Sequence, residues 1–493
     1  MNNPTQNAML FKASMQFKSI IILCLLSVMS VYRIHAQQPE MLLNWAKTMN
    51  NTTPYSGNVY GEACTVDSNG NFYITGEFTG SVDFDPGAGI AALTSAGGLD
   101  VFFAKYDVNG NFILAKAIGG NHANGDYVKS ISIDKNANIF IGGFFYGTAD
   151  FDPGTAVVNK TAASQSEGYV AKYDASGNFV YINLLAGSDY ETVYTLATDT
   201  NGNVAATGQF YGGLSIITGG GTTTLSSNGA YDAFLVKFDA SGNTVFSKHF
   251  GNFNNDNGYA VATDAAGNIY VAGVFVGTVD LGAGPISASG GGLNDVFIAK
   301  FSAAGVYNYG KVFGGNGNDL CYALDVDDNN NLFLVGYFNN TVDFDPGAGV
   351  ATRTSGGLKD AYLLKFDNSG SFVHAITMGG TGDDEAYAIS VNSISQTFIS
   401  GYFNSATADF DPGPSVVNLS AAGGLDAFIA KYDATGSYLY ARSFGQNAGD
   451  EVGRGITAFG NYNVFATGYF THVVDFDPEA GVVNLGSVGT QNG

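Results

Sequence analysis

The sequence predicts an all-β protein, a β-propeller of seven four-stranded blades, on three observations. A unit of roughly 65 residues repeats along the chain. Gly-Asn and Gly-Ser turns separate short runs rich in Val, Ile, Phe, Tyr and Ala. No stretch sustains a helical period. The register is tight: a lysine recurs at Lys105, Lys172, Lys237, Lys300, Lys365 and Lys431, at intervals of 67, 65, 63, 65 and 66 residues.

Four strands follow from the order of markers within each copy. Strand a runs into an Asp-x-x-Gly-Asn turn, as in CTVDSNGN from Cys64 and LATDTNGN from Leu196. Strand b follows at once and closes on Gly and an aromatic, as in FYITGEF from Phe72 and LFLVGYF from Leu332. A longer loop carries Phe-Asp-Pro-Gly. Strand c bears the repeated lysine, as in DVFFAKYD from Asp100 and DAFIAKYD from Asp426, and a second tight turn leads to strand d. Such a sheet cannot bury both faces alone, so neighbouring blades stack and the ring closes.

The blades are expected at about 60–125, 126–188, 189–255, 256–318, 319–383, 384–449 and 450–493, the last without its strand c. Six or eight blades remain open if another segment completes or replaces one. Residues 37–59 form an N-terminal segment in which 42–49 resembles a strand d, so the ring is expected to close by an N-terminal strand in the last blade. Residues 1–36 read as a secretory signal peptide: Lys12 and Lys18 precede the apolar run Ile20–Val31, and Ala36 offers a small residue for cleavage. Its removal takes Lys12, Lys18 and Arg33 and no acid, leaving 17 basic and 43 acidic residues, a formal charge of −26. That charge disfavours nucleic acid and anionic membranes. The expectation is an exported protein, secreted or on a bacterial cell surface, monomeric and with no membrane insertion after cleavage. Cys64 and Cys321 occupy different repeat positions, which argues against a disulfide between them.

The units GGTGDDEAYAISV from Gly379, TDAAGNIYVAG from Thr263 and DAFIAKYD from Asp426 resemble the SBBP-type β-propeller repeat of bacterial exported proteins. The resemblance covers nearly everything from Tyr60 onward. It implies the propeller fold and exposure outside the cell, and it implies no particular reaction.

Motifs that could carry chemistry are few. The loops place two carboxylates two residues apart at Asp83 and Asp85, Asp150 and Asp152, Asp343 and Asp345, Asp409 and Asp411, and Asp475 and Asp477. Paired carboxylates suit Ca²⁺, which is the one cofactor candidate, but each loop offers two acids where Ca²⁺ takes six to eight oxygens. Asp-Pro-Gly is in any case a strong turn former, so a structural role is preferred. The repeated lysines, each in an apolar strand, are expected to form structural ion pairs. The histidines after residue 36, His122, His249, His374 and His472, sit at unrelated repeat positions, and no Gly-x-Ser-x-Gly elbow occurs. The expected function is a non-catalytic scaffold that binds a protein or glycan. The alternative is a polysaccharide hydrolase or lyase with dispersed acids.

Overall fold

The computed structural model describes residues 7–15, 41–49, 57–287, 293–411, 413–445, 449–477 and 481–486. The apolar run expected in the leader lies outside them. In blade 1 the strands are a (Val59–Val66), b (Phe72–Phe78), c (Asp100–Tyr106) and d (Phe112–Gly120), paired antiparallel in that order. The pattern recurs, with strand a at Asp126–Ile133, Thr192–Thr198, Asn257–Thr263, Leu320–Val326, Asp384–Val391 and Val452–Phe459. Each strand a packs against those of the two neighbouring blades, and the last packs against the first, so seven strands ring a central axis. Strands b and c are apolar on both faces and fully buried, as in Phe72–Phe78 and Asp295–Phe301. That is what sheets stacked on both sides require.

The last blade differs from expectation. An N-terminal strand, Met41–Thr48, does join it as the outermost strand d. The missing strand c is present, however, and is supplied by Asn7–Met15, which pairs with strand b, Asn463–Phe470, on one side and with Met41–Thr48 on the other. Lys12 pairs with Phe465 just as Lys431 pairs with Phe398, so it occupies the lysine register of the other blades. The seam is packed like any other blade junction. Trp45 lies against Gly110 in the c–d turn of blade 1 and donates its Nε1–H to the Val108 carbonyl at 3.2 Å. Gly110 has φ +75°, and a Cβ there would meet the indole ring. Across the same seam Phe465 stacks on Phe72 with centroids 5.1 Å apart.

The b–c loops are clasps. In blade 2 the hairpin Thr148–Asp150 with Asn159–Thr161 adds to the outer strand of blade 1 through Ala149 and Gly120. Single bridges from Val342 to Gly315 and from Asp409 to Gly379 repeat this in blades 5 and 6. In blade 3 the Phe-Asp-Pro-Gly loop is replaced by two long strands, Val204–Thr218 and Gly221–Phe238, and the end of the first pairs directly with strand d of blade 2.

A second set of contacts joins blades through buried acids. The residue opening strand c and the one opening the next strand a are brought together by one backbone bond: Asp126 N–H to Leu99 O, Glu191 to Ser166, Asp256 to Tyr231, Asp319 to Asn294, Asp384 to Lys359 and Glu451 to Leu425. The facing acids are Asp100, Glu167, Asp232, Asp295, Asp360 and Asp426, and all twelve acids are buried. At Gly119 and again at Gly251, a Cβ would lie within 3 Å of both carboxylates, Asp100 and Asp126 or Asp232 and Asp256. In each pair the second acid accepts backbone N–H groups, as Asp256 does from Asn252 and Val276. Oδ1 of Asp100, Asp232 and Asp360 has no hydrogen-bond partner.

Candidate functional site: the central channel

Strand a is bulged in every blade. The register skips one residue between Gly61 and Ala63, Val193 and Thr195, Gly258 and Ala260, Cys321 and Ala323, Ala386 and Ala388, and Gly453 and Gly455, with the same slip opposite Gly142/Gly143 in blade 2. A bulge leaves one residue outside the ladder and re-aims its side chain. Here the residues set free are Glu62, Lys129, Tyr194, Tyr259, Tyr322, Tyr387 and Arg454, and all seven line a channel cavity of about 600 Å³.

The ring divides into two arcs. Blades 3 to 6 contribute tyrosines that touch in series, with centroids 5.0 Å apart for Tyr194 and Tyr259, 6.2 Å for Tyr259 and Tyr322, and 4.8 Å for Tyr322 and Tyr387. Arg454 of blade 7 continues the series, its guanidinium 4.5 Å from the Tyr387 ring centre. Blades 1 and 2 contribute the ionic arc: Lys129 lies 3.8 Å from Glu62 and 3.7 Å from Glu77. Glu77 is buried behind strand a and accepts the Val128 N–H at 3.0 Å. Burial pushes its carboxyl up to about 8 against the pull of Lys129. Farther along the channel Asp325 is pushed up to about 6 by burial, partly offset by the Val391 N–H. Glu62 and Lys129 are paired to each other, and Glu77 does not reach the lumen, so the arrangement is equipped for binding through rings and charges. Sequence reasoning missed this ring. Its members differ in type, and a repeat search discards positions that vary; the out-of-step residue after each strand-a start was the available signal.

The residues singled out in the sequence lie elsewhere. In the loops, Oδ1 of Asp83 accepts the N–H groups of Asp85 and Ala91 at 3.0 and 2.8 Å, and Asp85 accepts that of Gly87 at 2.8 Å. Asp150 and Asp152, Asp343 and Asp345, and Asp409 and Asp411 repeat the geometry, as Asp475 does with Asp477 and Val483. The phenylalanine between each pair of acids is buried in the blade core, as Phe84, Phe344 and Phe476 are. Among the described residues no group of three or more His, Cys, Asp or Glu side chains could hold a metal. A melting curve in EDTA, Ca²⁺ and Mg²⁺ at equal ionic strength is therefore expected to shift equally with either cation, by screening alone. A Ca²⁺-only rise abolished by Asp343→Asn with Asp345→Asn would assign the loops a metal.

The repeated lysines fasten turns, either of their own blade or of the next. Lys105 and Lys237 face turn carboxylates, Asp67 at 3.8 Å and Asp199 at 3.2 Å. At Lys172 and Lys365 the expected carboxylate gives way to a carbonyl in the next blade's c–d turn, Ala240 at 2.9 Å and Ala434 at 2.8 Å. Lys300 reaches Asn368 and Lys431 the Asn461 carbonyl, again in the next blade. Rings of strand b, such as Phe140, Tyr270 and Phe398, lie under the ammonium groups of Lys172, Lys300 and Lys431 at 4.5–4.9 Å. Carbonyls and rings satisfy the cation where an acid is absent. Cys64, on the channel wall, and buried Cys321 are both free thiols.

No family model matches the chain. It is 22% identical to an uncharacterized WD repeat-containing protein, L264, of Acanthamoeba polyphaga mimivirus, over 77% of this chain and 33% of that protein. It is 23% identical to the regulatory protein FlaEY of Caulobacter vibrioides, over 66% of this chain and 35% of that protein. The chain thus spans about a third of the length of these relatives. Among solved structures it is similar to the Pan2 WD40 domain of Neurospora crassa, at 8% identity and a TM-score of 0.39 over 83% of this chain and 88% of that one. A chain of the mitotic checkpoint complex matches at 10% identity and a TM-score of 0.40, over 91% and 99%. With seven four-stranded blades and a closed ring of strands a, the chain is a seven-bladed β-propeller repeat protein.

Proposed function

We propose that this chain is an exported, non-catalytic scaffold of the SBBP-repeat kind that binds a protein or glycan through its channel face. The observation that carries the reading is the bulge ring. On one repeated frame, the seven bulge positions place four tyrosines, Tyr194, Tyr259, Tyr322 and Tyr387, and three charged residues, Glu62, Lys129 and Arg454, in the lumen. Rings and charges gathered on one open face of a rigid frame are what a recognition surface requires. The alternative, a polysaccharide hydrolase or lyase, needs two open carboxylates, and the acids near Lys129 are one paired and one buried. Export is supported by the basic and apolar segments of the first 36 residues.

The test applies the protein to immobilised extracellular proteins and surface glycans, beside a turnover assay on pooled polysaccharides. Capture is expected in the wild type and is expected to fall about tenfold or more in Tyr322→Ala and in Arg454→Gln, at unchanged melting temperature. Release of reducing ends or unsaturated products, or capture indifferent to both substitutions, would overturn the reading.

A further inference from the structure

A second cavity, about 450 Å³, opens at the channel mouth over blades 2 to 4. It sits beside the long hairpin of blade 3, where the repeat departs most from its pattern. Its walls are aromatic: Phe144, Tyr146, Tyr190, Tyr194 and Tyr231. Tyr190 is 40% exposed, and Tyr194 belongs also to the tyrosine arc, so the two cavities share its ring as a common wall. Its polar groups are amides and hydroxyls, from Gln209, Asn255, Asn257, Ser166 and Thr192, and no lining residue is charged. Gln209 accepts the Tyr194 hydroxyl through Oε1 at 3.1 Å, which leaves its Nε2 amide to donate. Asn255 is exposed and uses Oδ1 toward the Tyr231 N–H at 3.4 Å. Asp189, outside the lining, accepts the Tyr231 hydroxyl at 3.3 Å.

We propose that this cavity binds a neutral saccharide, an inference that rests on the scaffold reading above and narrows its ligand. Sugar rings present C–H faces that pack on aromatic planes, while their hydroxyls need partners that both donate and accept. Tyrosine hydroxyls and carboxamides supply both. An uncharged lining in a chain of net charge −23 gives no counter-ion to an acidic sugar, which the overall field also repels. A basic peptide would find no open carboxylate on these walls.

The experiment titrates the full chain with short neutral oligosaccharides of glucose, mannose, galactose and N-acetylglucosamine. Oligogalacturonate and a lysine-rich peptide serve as charged comparators, and calorimetry and tyrosine fluorescence are the readouts. At least one neutral oligosaccharide is expected to bind and to quench or enhance tyrosine emission. Tyr190→Ala and Gln209→Ala should each weaken it about tenfold, and Tyr190→Phe, which keeps the ring, should retain it. Absence of binding by all neutral probes, binding unaffected by both alanine variants, or preference for either charged probe would overturn the inference. Such a failure with the Tyr322- and Arg454-dependent capture intact leaves the scaffold reading standing; loss of that capture too removes both.

Discussion

Between about pH 5 and about pH 8 the melting temperature is expected to fall by at least ~5 °C, the reverse of ordinary acid lability. The cause is the set of buried acid pairs between blades. Burial is the largest influence on each, and it pushes Asp100, Asp256, Asp319 and Asp360 up to about 6 and Asp126, Asp232, Asp295 and Glu191 up to about 7. At Asp126, Asp232, Asp295 and Asp360 the facing acid of the pair adds to the rise. A carboxyl raised above its unfolded value stabilises the fold fully below that unfolded value, near pH 4, and loses the contribution as pH climbs through its folded value. One pH unit of elevation corresponds to about 1.4 kcal/mol, and the motif recurs at six junctions. On the acid side, Asp174, Asp239 and Asp433 are opposed by burial yet held below the ordinary range by hydrogen bonds within their turns, so they lose stability as pH falls below about 4. The optimum is expected near pH ~4. Asp232→Asn replaces a titrating hydroxyl by a fixed amide donor opposite Asp256. It should cost little at about pH 5 and raise the melting temperature at about pH 8. Equal destabilisation at both pH values would refute titration of the pairs as the cause, and a rise at about pH 8 given by Ca²⁺ alone would assign the pairs to a cation.

Starting the chain at Gln37 is expected to lower the melting temperature by at least ~5 °C relative to the full chain. The shorter chain lacks Asn7–Met15, so Asn463–Phe470 and Met41–Thr48 each lose a partner strand. Backbone groups of two ladders are exposed, at about 0.5–1.5 kcal/mol for each bond lost, and an open strand edge is created in a fold that otherwise hides its edges. Amide exchange should show Met41–Thr48 losing protection first. Identical melting and exchange in the two chains would mean that the ring closes without this strand. The result bears directly on export, because leader cleavage after Ala36 would remove the same residues.

The frame was legible because its parts recur. A lysine in apolar strand c, a Gly-Asn turn and a Gly-aromatic strand end return at nearly constant spacing, and each has one physical job in every blade. The elements that escaped are those whose meaning depends on a neighbour. The acids of a pair, Asp100 and Asp126 for example, fall in different copies, and only stacking brings them together. Asn7–Met15 lies beside an apolar run, so in sequence Lys12 reads as the basic end of a leader, and its place in the lysine register emerges only from the pairing with Asn463–Phe470. Tyr322 looked like one more strand-a aromatic until the bulge at Cys321/Ala323 turned it into the lumen. Gln209 and Tyr231, 22 residues apart in the sequence, carry no signal until the blade 3 hairpin brings them to one cavity.

The bulge in strand a separates two tasks within a single strand. Residues in the ladder are held in register by strand b, while the one left out belongs to no ladder pair. Seven near-copies of one module therefore present seven lumen residues whose identity no strand register fixes. Duplicating a blade multiplies the frame, and a single codon per blade then rewrites the recognition surface, so lumen chemistry can diverge among such rings far faster than their architecture.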